Sequence, residues 1–275
     1  MSSIFRCRVQ VLEKFCKYGI VLLPMKQDKI YIYGKHAVTE ALRNNPKCLD
    51  RIFSVSNLEG ELSALAKAAN IRTDRMSGQG LPSGIEKNAT HQGIIGRVVL
   101  TSLVQPYKDF IETLSITPAT SVVILGELQD PHNVGAVIRS AAAFGVSAVL
   151  IPEHKQAPVT GAVVKVSAGM AFHVPLVQIG NVNTTIEDLK KRGFWIYGLD
   201  GNAKQSVVDE KFEGPTAIVL GNEAEGIRLK TLEACDIPLS IPMAPGCESL
   251  NVAASAAVAL YAWSARHPEA LKGKE

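Results

Sequence analysis

Two apolar segments, "SVVILG" from Ser121 and "TAIVLG" from Thr216, limit most strongly what this chain can fold into. A strand with apolar side chains on both faces must be buried on both sides, which is typical of parallel sheets covered by helices. Around these segments, further strand-like runs alternate with stretches of helical periodicity, up to an alanine-rich stretch near the end. The alternation predicts an α/β fold whose parallel sheet carries helices on both faces.

A second, smaller α/β pattern occupies residues 29–100. Strand-like runs such as "KIYIYG" and "HQGIIGRVVL" alternate with segments that have one apolar helical face. Prolines at 106 and 118 mark a joint, which we interpret as a linker over residues 101–119 with one short helix. The sequence thus predicts a module at 29–100 and a larger domain at 120–270, after an extension at 1–28 whose role it leaves open.

Positive charge is concentrated in the first hundred residues. They contain 15 Lys and Arg against 8 Asp and Glu, whereas residues 101–275 contain 14 against 18. The whole chain has a formal net charge of only +3. A front module that meets a polyanion would explain this asymmetry, although a bias of this size also fits an ordinary surface.

Several function classes lack their motifs in this sequence. No Gly-x-Gly-x-x-Gly follows a strand, which argues against an oxidoreductase with a nucleotide cofactor, and neither a P-loop nor Gly-x-Ser-x-Gly occurs. The histidines are scattered and no Cys-x-x-Cys exists, so we expect no metal site. The five cysteines and the lack of a long apolar run predict a reduced, cytoplasmic protein without a membrane partner.

Three polar loops follow predicted strands: "GELQDPHN", "GNEAEGI" and "PMAPGCESLN". Ligands of parallel α/β sheets bind at the carboxyl ends of the strands, so we expect the functional site where these loops meet.

Asn133 and Arg139 belong to the helix that the first loop opens. Asn133 is well placed as an N-cap, which would also be a sufficient structural role. Arg139 lies about 9 Å further along the helix axis, and its side chain leans back toward the loop. Because its neighbours are small or apolar, we expect a buried guanidinium that needs an anion such as a substrate phosphate. A surface arginine paired with an acid is the alternative.

Together, "DPHNVGAVIRSAAAFG", "IVLGNEAEGI" and "IPMAPGCESLNVAASAAVALY" closely resemble the three ordered motifs of the SpoU (TrmH-type) branch of the SPOUT RNA methyltransferases. The front module resembles the substrate-binding domain of that family, and the similarity is nearest to the bacterial 23S rRNA guanosine 2′-O-methyltransferases. It implies a C-terminal parallel-sheet SPOUT domain with a deep trefoil knot, which periodicity alone cannot predict. It also implies a small N-terminal α/β domain that is ribosomal-protein-L30-like.

The resemblance implies transfer of a methyl group from S-adenosylmethionine to a ribose 2′-OH of structured RNA, with a 23S rRNA guanosine as the favoured target. Transfer to tRNA is one alternative, and a non-catalytic RNA-binding factor of ribosome assembly is another. The implied catalytic residues are Asn133, Arg139, Glu223, Ser249 and Asn251. The implied cofactor-binding residues are Leu220, Gly221, Ile241, Met243, Leu250 and Asn251, with no metal.

The individual roles stay open at this stage. The resemblance makes Arg139 a general base, whereas an arginine that remains protonated is better suited to clamp a substrate phosphate. Glu223 would orient Arg139 or cap its loop, and Ser249 and Asn251 could instead cap the last helix. The alanines of that helix permit close backbone approach, and the resemblance implies a homodimer with the active sites at its interface.

Overall fold

The computed structural model describes residues 28–76 and 91–272. The predicted extension, apart from Asp28, and the predicted break at "SGQGLPSG" lie outside these ranges.

The front module is a four-stranded sheet with helices packed on it. Its elements are β1 (Lys29–Tyr33), α1 (Lys35–Asn44), β2 (Leu49–Ser54), α2 (Gly60–Ala68), β3 (Arg72–Arg75) and β4 (Ile94–Val99). The strand order is β1-β4-β2-β3, with β4 antiparallel to β1 and β2, and β3 parallel to β2. Alternate residues Ile30 and Ile32 of β1 are buried, as expected for a strand with one face on a core. Each element predicted from the periodicity in this part is present.

The larger unit is an eight-stranded sheet. Its strands are β5 (Val104–Pro106), β6 (Ser121–Ile124), β7 (Ala148–Pro152), β8 (Leu176–Ile179), β9 (Trp195–Leu199), β10 (Gln205–Ser206), β11 (Thr216–Val219) and β12 (Ile237–Ser240). They pair in the order β10-β12-β9-β11-β6-β7-β8-β5, and every pairing is parallel. The predicted parallel sheet is therefore confirmed. The short strands β5 and β10 are additions that the sequence did not indicate.

Helices cover both faces of this sheet. They are α3 (Leu100–Leu103), α4 (Tyr107–Thr113), α5 (Pro131–Ala143), α6 (Gly161–Val166), α7 (Val182–Lys191), α8 (Leu229–Ala234) and α9 (Val252–Arg266). One apolar core contains residues of α5, α6 and α9, and a second contains residues of α4 and α7. Val123 of β6 belongs to the first core and its neighbours Val122 and Ile124 to the second, which explains why this strand is apolar throughout.

The two units are in contact. The core of the small sheet is continuous with the core on the α5 and α6 side of the large sheet. β1 packs against α6, where a side chain at Gly161 would collide with the carbonyl oxygen of Tyr31. His173 Nε2 lies 2.7 Å from Glu40 Oε2 across the same boundary. Strand β5, from the segment between the units, pairs with β8 at the edge of the large sheet.

Within the described ranges, no helix combines the length and the apolar character that crossing a membrane would require.

Candidate active site

A cleft of about 510 Å³ opens at the carboxyl edge of the large sheet, where β9, β11 and β12 end. Nine of the residues that the sequence singled out line it: Asn133, Leu220, Gly221, Glu223, Ile241, Met243, Ser249, Leu250 and Asn251. The three predicted loops thus meet at one place, as the strand-end rule requires.

Asn133 is at the centre of a side-chain network. Its Nδ2 donates a hydrogen bond to Glu223 Oε1 at 3.1 Å, and its Oδ1 accepts one from Asn251 Nδ2 at 2.9 Å. The prediction that Asn133 is the N-cap of its helix is wrong. Asp130 is the cap and accepts from the backbone N–H of His132 at 2.8 Å. The helix begins at Pro131, which suits the first helical position, so the Asn133 side chain is left available for the cleft.

Glu223 fastens the loop that precedes α5. Its carboxylate accepts hydrogen bonds from the backbone N–H groups of Gln129 and Asp130, at 3.1 and 3.2 Å, besides the bond from Asn133. Burial alone would raise the pKa of Glu223, but these donors hold its pKa below the ordinary range. Of the two roles left open for Glu223, the contacts support loop capping, since none of the described hydrogen bonds or ion pairs joins it to Arg139.

Asn251 is the N-cap of α9. Its Oδ1 accepts from the backbone N–H groups of Ala253 and Ala254, at 2.9 and 3.4 Å, while its Nδ2 reaches Asn133. Asn251 therefore fixes the last helix and the polar network together. Ser249 lines the cleft but does not cap this helix.

The loop after β11 turns back sharply on itself. Asn222 and Gly226 exchange backbone hydrogen bonds of 2.9 and 3.0 Å, and a side chain at Gly221 would collide with the backbone of Gly226 and Ile227. Asn222 Nδ2 also donates to the carbonyl oxygen of Glu127 at 2.8 Å. Gly221 is thus required for steric reasons, and the tight turn presents backbone atoms to the cleft.

Arg139 stands apart from the cleft lining. The prediction of a buried guanidinium is wrong: Arg139 is exposed and, among the described residues, makes no ion pair. The reason is helical geometry. His132, Arg139 and Ala143 form the exposed stripe of α5, whereas Val134, Val137, Ile138 and other residues face the core. The paired surface arginine considered as an alternative is not observed either, so this guanidinium is available to an anion from outside the chain.

Sequence reasoning missed Asn222 and Asp200. Both line the cleft near strand ends: Asp200 directly follows β9, and Asn222 lies three residues after the end of β11. The strand-end rule could have found Asp200, because Asp200 directly follows the strand-like run "FWIYGL".

The cleft lining is acidic. It includes Asp200, Glu223 and Glu248 and, among the described residues, neither Lys nor Arg. Apolar side chains of Leu199, Leu239 and Ile241 complete the walls. Such a site favours a ligand with an apolar ring and a positive charge over a phosphorylated cofactor. The described residues contain no group of His, Cys, Asp and Glu that could hold a metal ion.

The sheet, the two-unit architecture and the cleft at its carboxyl edge define a two-unit α/β protein with a ligand-binding cleft at the ends of its parallel strands. The family model of the SpoU rRNA methylases matches residues 120–261, and the model of the RNA 2′-O ribose methyltransferase substrate-binding domain matches residues 31–101. The chain belongs to the SpoU rRNA methylase family.

Curated relatives agree with this assignment, and solved structures share the fold. A 23S rRNA (guanosine-2′-O-)-methyltransferase RlmB of Ralstonia nicotianae is 35% identical over 86% of this chain and 95% of its own length. The protein of the same name from Neisseria meningitidis is 38% identical over 83% of this chain and 92% of its own length. The SpoU methyltransferase AviRb of Streptomyces viridochromogenes, solved in complex with AdoMet, superposes with a TM-score of 0.73 at 21% identity, over 93% of this chain and 99% of that one. An AdoMet-bound rRNA methyltransferase of Sinorhizobium meliloti superposes with a TM-score of 0.73 at 19% identity, over 87% of this chain and 88% of that one.

Proposed function

We propose that this protein transfers a methyl group from S-adenosylmethionine to the ribose 2′-OH of a guanosine in 23S rRNA, in the cytoplasm. The observation that carries the proposal is the acidic cleft that joins all three family motifs through Asn133, Glu223 and Asn251. The relatives named for this reaction match both units of the chain, which favours rRNA over the tRNA alternative.

The residues of the cleft fit the cofactor. Apolar side chains at Leu199, Leu239 and Ile241 suit an adenine ring, and the turn after Gly221 offers backbone groups to its polar edge. The carboxylates of Asp200 and Glu248 suit the positive charges of the sulfonium and amino groups. S-adenosylmethionine, when bound, supplies an electrophilic methyl group. Leu220, Gly221, Ile241, Met243, Leu250 and Asn251 are the residues we assign to hold it.

The finer features of the fold form part of the proposal. We assign a deep trefoil knot to the segment that runs from β11 through β12 to α9, and an L30-like fold to the front module. The knot is supported by the resemblance and by the path of the chain. β12 lies outside β9, yet α9 returns to pack against α5, and its cap Asn251 donates a hydrogen bond to Asn133 of α5.

The polar network serves positioning. Asn133, held between Glu223 and Asn251, keeps the start of α5 and the start of α9 at a fixed separation on the two sides of the cleft mouth. A fixed mouth aligns the attacking ribose oxygen with the methyl group. Glu223 is a poor proton acceptor, because its pKa is lowered and its oxygens already accept three hydrogen bonds.

Arg139 is assigned to the RNA substrate. Its guanidinium is exposed on α5 and lacks an acidic partner among the described residues, so it can grip a phosphate beside the target ribose. A role as general base would require a deprotonated arginine, which is chemically much harder. Ser249, at the rim of the cleft, is assigned to the same substrate side.

The experiment has two arms. Ribose methylation is mapped by mass spectrometry or reverse-transcription stops in 23S rRNA and tRNA from cells with and without the gene, and the purified protein is assayed on a 23S rRNA transcript. One 23S guanosine should lose its methyl group in the deletion strain and gain it in vitro. A lost methyl group in tRNA would establish the alternative substrate. Unchanged methylation of both RNAs, with RNA binding intact, would establish the non-catalytic alternative.

A further inference from the structure

The front module contains a second cavity that the methyl-transfer site does not use. A groove of about 500 Å³ lies between α2 and the edge strand β3, at the carboxyl ends of β2 and β3. Ser54 of β2 and Thr73 of β3 line it from the sheet. Ser63 and Lys67 line it from α2, and Ser56 from the loop between β2 and α2. Arg75, the last residue of β3, lines it as well. Hydroxyl groups and cations dominate the polar part of this lining.

A buried hydroxyl at the groove has no partner. Ser54 is only 2% exposed, and its Oγ has no hydrogen-bond partner among the described residues. Leaving such a group unsatisfied is unfavourable, so a buried hydroxyl without a partner in a native protein calls for an explanation. A ligand seated in the groove that Ser54 lines would provide the missing partner.

The two cations of the groove differ from most of the other cations of the module. Arg51 and Arg72 pair with Asp74 at 2.9 and 3.0 Å. Arg97 and Lys29 pair with Asp50 at 2.8 and 3.0 Å, and Arg43 donates to Glu61 at 2.9 Å. Within the described residues, neither Lys67 nor Arg75 has an acidic partner. Asp74, the one acid at the groove, is already engaged by two arginines.

The composition of the groove identifies its ligand class. Cations and hydroxyl groups are the usual partners of phosphate and sugar oxygens. The described lining contains no aromatic residue, so it offers no platform on which a base could stack. We propose that this groove binds the sugar–phosphate backbone of the RNA substrate, with phosphates at Lys67 and Arg75 and ribose oxygens at the serine and threonine hydroxyls. The inference rests on the proposed function, because it presumes an RNA substrate.

The place of the groove predicts what the contact does. β1 is the strand of the small sheet that packs on the large unit, and β3 is at the opposite edge, three strand spacings or about 14 Å away. The groove therefore anchors RNA at a distance from the cleft. It contributes to affinity for a long, structured RNA and is insensitive to base sequence.

The test compares two double variants of the full-length protein. Lys67→Gln with Arg75→Gln removes the groove cations, and Arg43→Gln with Arg72→Gln removes the same net charge from paired positions. Binding to a 23S rRNA transcript is measured from 50 to 200 mM salt, with thermal melting as a folding check. Each phosphate contact contributes about 0.7–0.9 to the slope of log affinity against log salt. The slope of the groove variant should therefore be shallower than that of the wild type by about 1.5. Raising the salt from 50 to 200 mM should then weaken RNA binding of this variant by a factor roughly eightfold smaller than in the wild type. The paired variant should retain the wild-type slope.

Ser54→Ala gives an independent readout. Removing a hydroxyl without a partner should leave the melting temperature of the free protein unchanged or higher, while RNA affinity falls roughly threefold to tenfold. In methyl-transfer assays, the groove and Ser54 variants should raise KM and leave kcat unchanged. The proposal would be overturned if the groove and paired variants lost RNA affinity equally. It would also be overturned if the groove and Ser54 variants bound RNA as tightly as the wild type. If the wild-type protein binds the transcript without methylating it, the proposed function fails while the binding test of the groove still stands.

Discussion

Asn251 Nδ2 donates a hydrogen bond of 2.9 Å to Asn133 Oδ1, although 118 residues separate the two in sequence. Asn251 caps α9 and Asn133 lies in the first turn of α5, so this bond fixes the relative position of the two helix starts that border the cleft. Because Glu223 holds the other end of the Asn133 amide, one side chain connects all three family motifs.

Asn133→Ala should therefore lower kcat/KM for methyl transfer about tenfold to a hundredfold, the equivalent of one lost hydrogen bond to a charged group. Asn133→Asp should be worse, because it sets a second carboxylate against Glu223. Steady-state assays on the RNA transcript measure both. Asn183→Ala is the matched control: Asn183 is outside the cleft and accepts from Thr231 Oγ1 at 2.8 Å. Wild-type activity in Asn133→Asp would contradict the positioning role of the network.

Gly221→Ala should abolish tight cofactor binding. The added methyl group would collide with the backbone of Gly226 and Ile227, so the loop after β11 would have to move out of the cleft. Isothermal calorimetry with S-adenosylmethionine, in the presence of a chelator, should show at least a roughly tenfold weaker affinity, or about 1.4 kcal/mol. Gly180→Ala is the control, since a side chain there meets nothing within 4 Å. Equal affinities of the two variants would exclude Gly221 from the cofactor site.

Arg139→Ala should abolish methyl transfer and leave cofactor affinity nearly unchanged, because Arg139 is exposed on α5 and does not line the cleft. Arg139→Lys should also fail, since lysine lacks the planar, two-pronged grip on a phosphate. Lys191→Ala, on helix α7 over the opposite face of the sheet, controls for loss of a positive charge. Substantial activity in Arg139→Lys would show that a simple positive charge suffices.

Glu40→Gln should destabilise the contact between the two units in a pH-dependent way. The hydrogen bond with His173, helped by the charges of His173, His36 and Arg43, lowers the pKa of the buried Glu40 carboxyl. A lowered pKa means that the stabilisation is complete above the unfolded value of about 4.3 and is lost as the pH falls through the folded value.

Thermal melting tests this dependence. At pH 7 the Glu40→Gln variant should be about 1.5–3 kcal/mol less stable than the wild type, and the difference should shrink below about pH 4. Glu61→Gln, which breaks a more exposed pair with Arg43, should cost at most about 1 kcal/mol. If the stability difference between Glu40→Gln and the wild type stayed constant from pH 7 to pH 3, the charge of Glu40 would not contribute to the contact between the two units.

The sequence predicted the elements of both units well, because buried strands such as β6 and β11 are apolar on both faces and the amphipathic helices are periodic. It also predicted that the three loops meet, because the carboxyl ends of parallel strands lie at one edge of the sheet. The N-cap was misplaced by three residues, since Pro131 and Asp130 compete with Asn133 for the start of α5. The burial of Arg139 was wrong because small neighbours do not reveal which stripe of a helix faces the core. Ion pairs such as Arg72 with Asp74 depend on side-chain geometry that no linear pattern contains.

The final prediction concerns assembly. We expect a homodimer formed through α9, whose exposed stripe consists of Ala254, Val258, Tyr261 and Ala265. Val258 is 39% exposed and Tyr261 63%, which is unusual for apolar side chains on a helix whose other face is core. Tyr261 also stacks edge-on against Phe144 just beyond α5, so the apolar surface extends to the helix of Arg139.

Val258→Glu with Tyr261→Glu should give a monomer in analytical ultracentrifugation, because two charges would be desolvated at the interface without partners. Leu250, 43% exposed and next to the cap of the same helix, lines the cleft, so the monomer should also lose methyl transfer. Trp195→Glu is the control, since Trp195 is a half-exposed aromatic at the amino end of β9, away from the cleft edge. A wild-type protein that sediments as a monomer at tens of micromolar, or a double variant that stays dimeric, would exclude this face of α9 as the dimer interface.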